Sequence, residues 1–99
     1  MMMARTFTRD GETFDRVTID FVAPRRARQA RALVHDALIR AHGFRTAARL
    51  TQVRIEKDGR FRVAIARKKI KALKFRLRPL LEGQVIDLFV AGRRVVPDA

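Results

Sequence analysis

Residues 51–79 read TQVRIEKDGRFRVAIARKKIKALKFRLRP, and the way the two apolar rows at the start of this stretch pair decides the fold. A two-residue turn at Asp58-Gly59 would set Ile55 against Arg62 and Val63 against Arg54, mixing core with charge. A three-residue loop, Lys57-Asp58-Gly59, with Gly59 left-handed, instead opposes Ile55 with Phe61, Val53 with Val63 and Thr51 with Ile65. Strand side chains alternate with period two, so only the longer loop gathers the apolar residues on one face. The same register puts Arg54 opposite Arg62 and Glu56 opposite Arg60 on the outer face. Like charges directly across a ladder cost roughly 0.2 to 1 kcal/mol, and a bound anion would relieve that cost.

The second half of the stretch admits two geometries. As a strand, Leu73, Phe75 and Leu77 face inward, Lys74, Arg76 and Arg78 face out, and Pro79 ends the element. As a helix, Ile70, Leu73 and Leu77 form one stripe and Arg67, Lys71, Lys74 and Arg78 another, with Phe75 left off the apolar side. The spacing favours a strand from about residue 72, preceded by a basic loop or turn. Either geometry makes a basic ridge.

Upstream, Arg9-Asp10-Gly11-Glu12 between β-rich flanks predicts a tight hairpin. Val17, Ile19 and Phe21 then alternate with polar neighbours as a half-buried strand, and Phe14, out of phase with that row, predicts a bulge near Asp15 and Arg16. After Pro24, the residues Ala27, Ala30, Val34, Ala37, Leu38 and Ala41 recur at the helical period up to Gly43. Arg28, Arg31, His35 and His42 line the flank of that helix. Downstream, Val85 to Val90 is apolar on both parities except at Asp87, which predicts a strand buried on two faces, and Ala91-Gly92 turns the chain back. The expected fold is α+β: one domain over residues 1–99, a small, mainly antiparallel sheet built from hairpins and packed on one principal helix at about 25–42.

Charge is concentrated in the middle of the chain. The formal net charge is +13, with 18 Arg and five Lys. Residues 25–78 hold 18 basic side chains against Asp36, Glu56 and Asp58, a local net of +15. Self-repulsion at that density favours an anionic partner. Ser, Asn, Cys, Tyr and Trp are absent. A GC-rich genome or deliberate engineering would account for that narrow alphabet and for the Arg excess alike.

Without Ser or Cys there is no nucleophile of the usual triads, and without Cys no disulfide or thiolate metal site. His35 and His42 lack further ligands at metal spacing, no two carboxylates are spaced to converge, and neither GxGxxG nor GxxxxGK occurs. No signal peptide or membrane span is read, and the Ala-rich stripe is too weak for membrane-surface binding. The expectation is a non-catalytic protein without cofactor or metal, cytoplasmic or carried within a virion or phage.

Its expected partner is DNA or RNA, held chiefly by phosphate contacts with weak sequence preference, on duplex DNA or structured RNA. The candidate contacts are Arg54, Arg60 and Arg62 on the hairpin, then Lys68, Lys69, Lys71, Lys74, Arg76 and Arg78 along the ridge, with Arg28 and Arg31 adjoining. Phe61 and Phe75 take inward positions in this register, which argues against base stacking. The alternative is a small structural or assembly component of a virion, phage or ribonucleoprotein. It would act on an acidic protein surface or on further copies of itself.

Overall fold

The computed structural model describes residues 5–42, 54–55 and 59–97. The elements run β1 (Thr6–Arg9), β2 (Glu12–Phe21), α1 (Pro24–His42), β3 (Arg54–Ile55), β4 (Phe61–Ala66), a 3₁₀ turn (Arg67–Lys69), α2 (Ile70–Glu82), β5 (Ile86–Val90) and β6 (Arg93–Arg94). All pairings are antiparallel, in the order β3-β4-β2-β5-β6, with β1 on β2. Leaving β1 and β6 aside, this is the split β-α-β arrangement, in which each helix links two parallel strands with a third strand between them. The α+β, antiparallel expectation holds, with two helices on the sheet rather than one.

Asp10 and Gly11 both have positive φ, 51° and 76°, as a two-residue hairpin turn with right-handed strand twist requires. β2 then runs without interruption. Phe14 pairs with Phe7 on one side and Ala66 on the other, and the register stays continuous through Asp15 and Arg16. The bulge predicted there is absent, because Phe14 keeps phase with the outward row of β2 rather than the inward one. β2 is long enough to serve two neighbours along one edge. The Arg16 amide donates to the Arg5 carbonyl, and the Arg16 carbonyl accepts from Ala91, where β1 gives way to the β5–β6 hairpin.

The β3–β4 register is Arg54 to Arg62 and Ile55 to Phe61, with Gly59 at φ 81°, as apolar matching requires. The pairings of Val53, Thr51 and Glu56 lie outside the described residues, as does Gly43. From Arg67 onward the strand expectation is overturned: the chain makes a 3₁₀ turn and then α2. Residues 71 to 84 contain no β-branched side chain, and Lys, Ala, Leu and Arg are good helix formers. The inward stripe is Ile70, Leu73, Leu77 and Leu81. It extends past Pro79, which sits inside the helix and leaves the Phe75 carbonyl without its i+4 amide. Phe75 and Pro79 are both exposed, so the break in the ladder falls on the solvent side of the helix.

Both helices cover the same face of the sheet. Their stripes meet Val17, Ile19, Phe61, Val63, Ile65, Ile86 and Leu88 in one core. β5 is correspondingly buried on one face only: Ile86 and Leu88 point into the core, while Asp87 and Phe89 lie half-buried on the other side. No helix among the described residues is long and apolar enough to cross a membrane.

Among the described residues, one charge lies inside. Asp15, only 4 % exposed, accepts two hydrogen bonds from Arg67, from Nη2 at 2.9 Å and Nε at 3.1 Å. Those bonds, and then the carboxylate charge, raise the Arg67 pKa further above its ordinary value. On the alkaline side, the stabilising contribution is therefore lost only as pH rises through and above the usual guanidinium range. Arg67→Met strands a buried carboxylate. Thermal unfolding should show a larger drop in Tm for this variant than for Arg40→Met, which opens only the exposed Arg40–Asp36 pair at 2.8 Å.

Candidate functional site

Since α1 and α2 occupy one face, the other face of the sheet carries no described element over it. Along β2 its side chains are Phe14, Arg16, Thr18 and Asp20, the parity opposite to the buried Val17 and Ile19. Register extends these positions sideways. Thr18 is opposed by Arg62 on β4 and Phe89 on β5, Arg62 by position 54 on β3, and Phe89 by Arg94 on β6. One cross-strand line thus reads Arg54, Arg62, Thr18, Phe89, Arg94. Four inter-strand steps give it a length of roughly 19 Å.

Beyond that line, toward the end of β2, Asp20 faces Asp87 directly. Two opposed carboxylates would be unfavourable alone, but Arg60 pairs with Asp20, and Arg94 donates to Asp87 at 2.9 Å. At the start of β2, Glu12 pairs with Lys68 at 3.0 Å. The acidic side chains described on this face are therefore matched by the protein's own cations. Arg62 has no carboxylate partner among the described residues.

On the side of the line toward the β1–β2 hairpin lie aromatic rings. Phe7 and Phe14 stack across the β1–β2 ladder at 5.3 Å between centroids and 12° between planes. The Arg16 guanidinium sits 5.2 Å from the Phe7 centroid. Both rings are half-buried, as is Phe89. Rings and cations interleave over an antiparallel face that no described element covers.

The structure divides the residues expected to form one basic surface. Arg60 and Arg62, with position 54, belong to the open sheet face, although Arg60 is engaged by Asp20. Lys71, Lys74, Arg76 and Arg78 lie exposed on α2, in the helical layer and so on the opposite side of the molecule, with Lys68 and Lys69 at its entry. Arg78 pairs with Glu82 at 2.7 Å. On α1, Arg28 is exposed, whereas Arg31 lies 4.9 Å from the Phe21 centroid and 5.7 Å from that of Phe61, packed over the end of β2 and the start of β4. His35 lies beside Phe61 at 6.0 Å, and His42 donates from Nδ1 to the Ala64 carbonyl at 2.9 Å. The row on the α1 flank is thus largely committed to packing against β4.

Phe75, expected to face inward, is 75 % exposed and shares the outer side of α2 with Ala72 and Pro79. Sequence reasoning missed Phe7, Phe14, Arg16, Thr18, Phe89 and Arg94 as site residues. The signal was present in the unbroken alternation of Phe14, Arg16, Thr18 and Asp20. No protein-family model, curated protein or solved structure matches this chain.

Proposed function

We propose that this protein binds nucleic acid on the open face of its sheet, without catalysis, holding the phosphate backbone with weak sequence preference. The observation that carries this is the cross-strand line Arg54, Arg62, Thr18, Phe89, Arg94, on a face whose described carboxylates have cationic partners. Arg offers a planar fork suited to phosphate oxygens, and Thr18 a hydroxyl at the centre of the line. The net charge of +13 adds long-range attraction for a polyanion. Absence of Asn removes the usual adenine reader, in keeping with weak sequence preference. A cytoplasmic or virion setting supplies such a partner.

The test is a salt titration of binding by fluorescence anisotropy, using labelled single- and double-stranded DNA and RNA beside polyglutamate. Nucleic acid should win over polyglutamate, with log K falling against log salt at a slope that implies roughly five to eight phosphates. Equal binding of all polymers, or none near physiological salt, would remove the proposal.

A second reading has its own observation. The Ala72, Phe75 and Pro79 stripe on α2, bordered by Lys68, Lys71 and Arg76, suits protein–protein contact in an assembly component. Such a protein should self-associate in sedimentation runs without nucleic acid, whereas a phosphate binder should not.

A further inference from the structure

We propose that the open sheet face takes unpaired bases, with the Phe7–Phe14 pair and Phe89 as two stacking platforms, Arg16 on the phosphates between them and Arg62 on those alongside. This presupposes the nucleic-acid binding proposed above and names its substrate class as single strands.

Geometry favours this class. Phe14 and Thr18 are four residues apart on β2, about 13 Å at strand rise, and Phe89 stands directly across from Thr18. The two platforms are therefore roughly 14 Å apart. Arg16 lies between them along β2, and Arg62 flanks Thr18 on the β4 side. A duplex keeps its bases paired and stacked inside, and offers this face only phosphates. A single strand can lay π-faces on the rings while its backbone follows the cations.

Every aromatic residue in the chain is Phe, which stacks without a hydrogen-bonding handle and so tolerates any base. Half-buried rings on a cationic face fit a second copy of this chain less well. Face-to-face packing of two copies would bring two cationic faces together.

The chain has no Trp, so Phe89→Trp introduces a single fluorophore at the second platform. Its emission should be quenched by a 12-mer oligo(U) or oligo(dT) and left unchanged by a 12-base-pair RNA duplex; the two single-stranded arms separate RNA from DNA. Phe14→Leu and Phe89→Leu keep apolar bulk without a ring. Each should weaken single-strand binding roughly ten-fold and duplex binding by clearly less.

Thermal melts check that the Leu variants fold, and quenching in Phe89→Trp supplies a readout if one does not. Unquenched emission on a bound single strand, or Leu variants that bind like the parent, would overturn stacking. The phosphate proposal would survive that result if Arg62→Gln still weakened every nucleic acid. Failure of the unaltered protein to bind any nucleic acid removes both.

Discussion

Leu77→Ala is expected to lower the free energy of unfolding by about 2 to 5 kcal/mol, and Phe75→Ala to change it by less than about 0.5 kcal/mol. Leu77 is fully buried on the inward stripe of α2, amid side chains from both helices and the sheet. Truncation removes apolar area and leaves a cavity that the surroundings fill only in part. For a domain of this size, whose total stability is of the order of 5 to 15 kcal/mol, the loss corresponds to a fall in Tm of at least about 8 °C. Phe75, two residues away, is 75 % exposed. Were residues 72–78 a strand, the two side chains would share a face and both substitutions would be costly. Circular-dichroism melts of the two variants separate the geometries, and equal losses would sink the helix.

Changing Arg54 and Arg62 together to Gln should weaken nucleic-acid binding about ten-fold or more and reduce the salt slope by about two. Stability should stay equal or rise slightly, because the two positions are directly opposed on the ladder and like charges there are unfavourable. Lys71→Gln with Lys74→Gln, on α2, is the matched control: it removes the same formal charge from the other side of the molecule. Arg93 and Arg94 cannot serve that purpose, since Arg94 joins the sheet-face line and holds Asp87. If the α2 pair abolishes binding and the sheet pair leaves it intact, the sheet face is not the interface.

Local patterns went far for some elements. α1 follows from Pro24 and the run of Ala30, Val34, Ala37, Leu38 and Ala41, because a stripe at the helical period can be buried only by a helix. The Arg54–Arg62 register follows from Ile55 and Phe61, because a shift of one residue would turn core side chains to water. α2 was the harder case. A 3.6-residue period and a two-residue period both fit Leu73 and Leu77, and Pro79 looked like an end rather than a residue inside the last turns. Ile70 and Phe75 decide between them: the first is buried three residues before Leu73 and the second is exposed, and only the helical period allows both.

Composition and periodicity by themselves determined the charge surplus at the centre of the chain, the first helix, the β3–β4 register at Arg54 and Ile55, and the turns at Gly11 and Gly59. They say which side chains share a side of their own element. Which side is then covered depends on where the second layer lies, and that is a property of the whole sheet. β2 and β3 run parallel with β4 between them, as do β4 and β5 with β2 between them, so crossovers of one hand bring α1 and α2 to the same face. That placement buries Val17 and Leu88, leaves Phe14, Arg16, Arg62 and Phe89 on the open side, and sends Lys71 and Lys74 to the far surface. Tertiary structure alone parted the basic residues into two surfaces and put the aromatic rings on one of them.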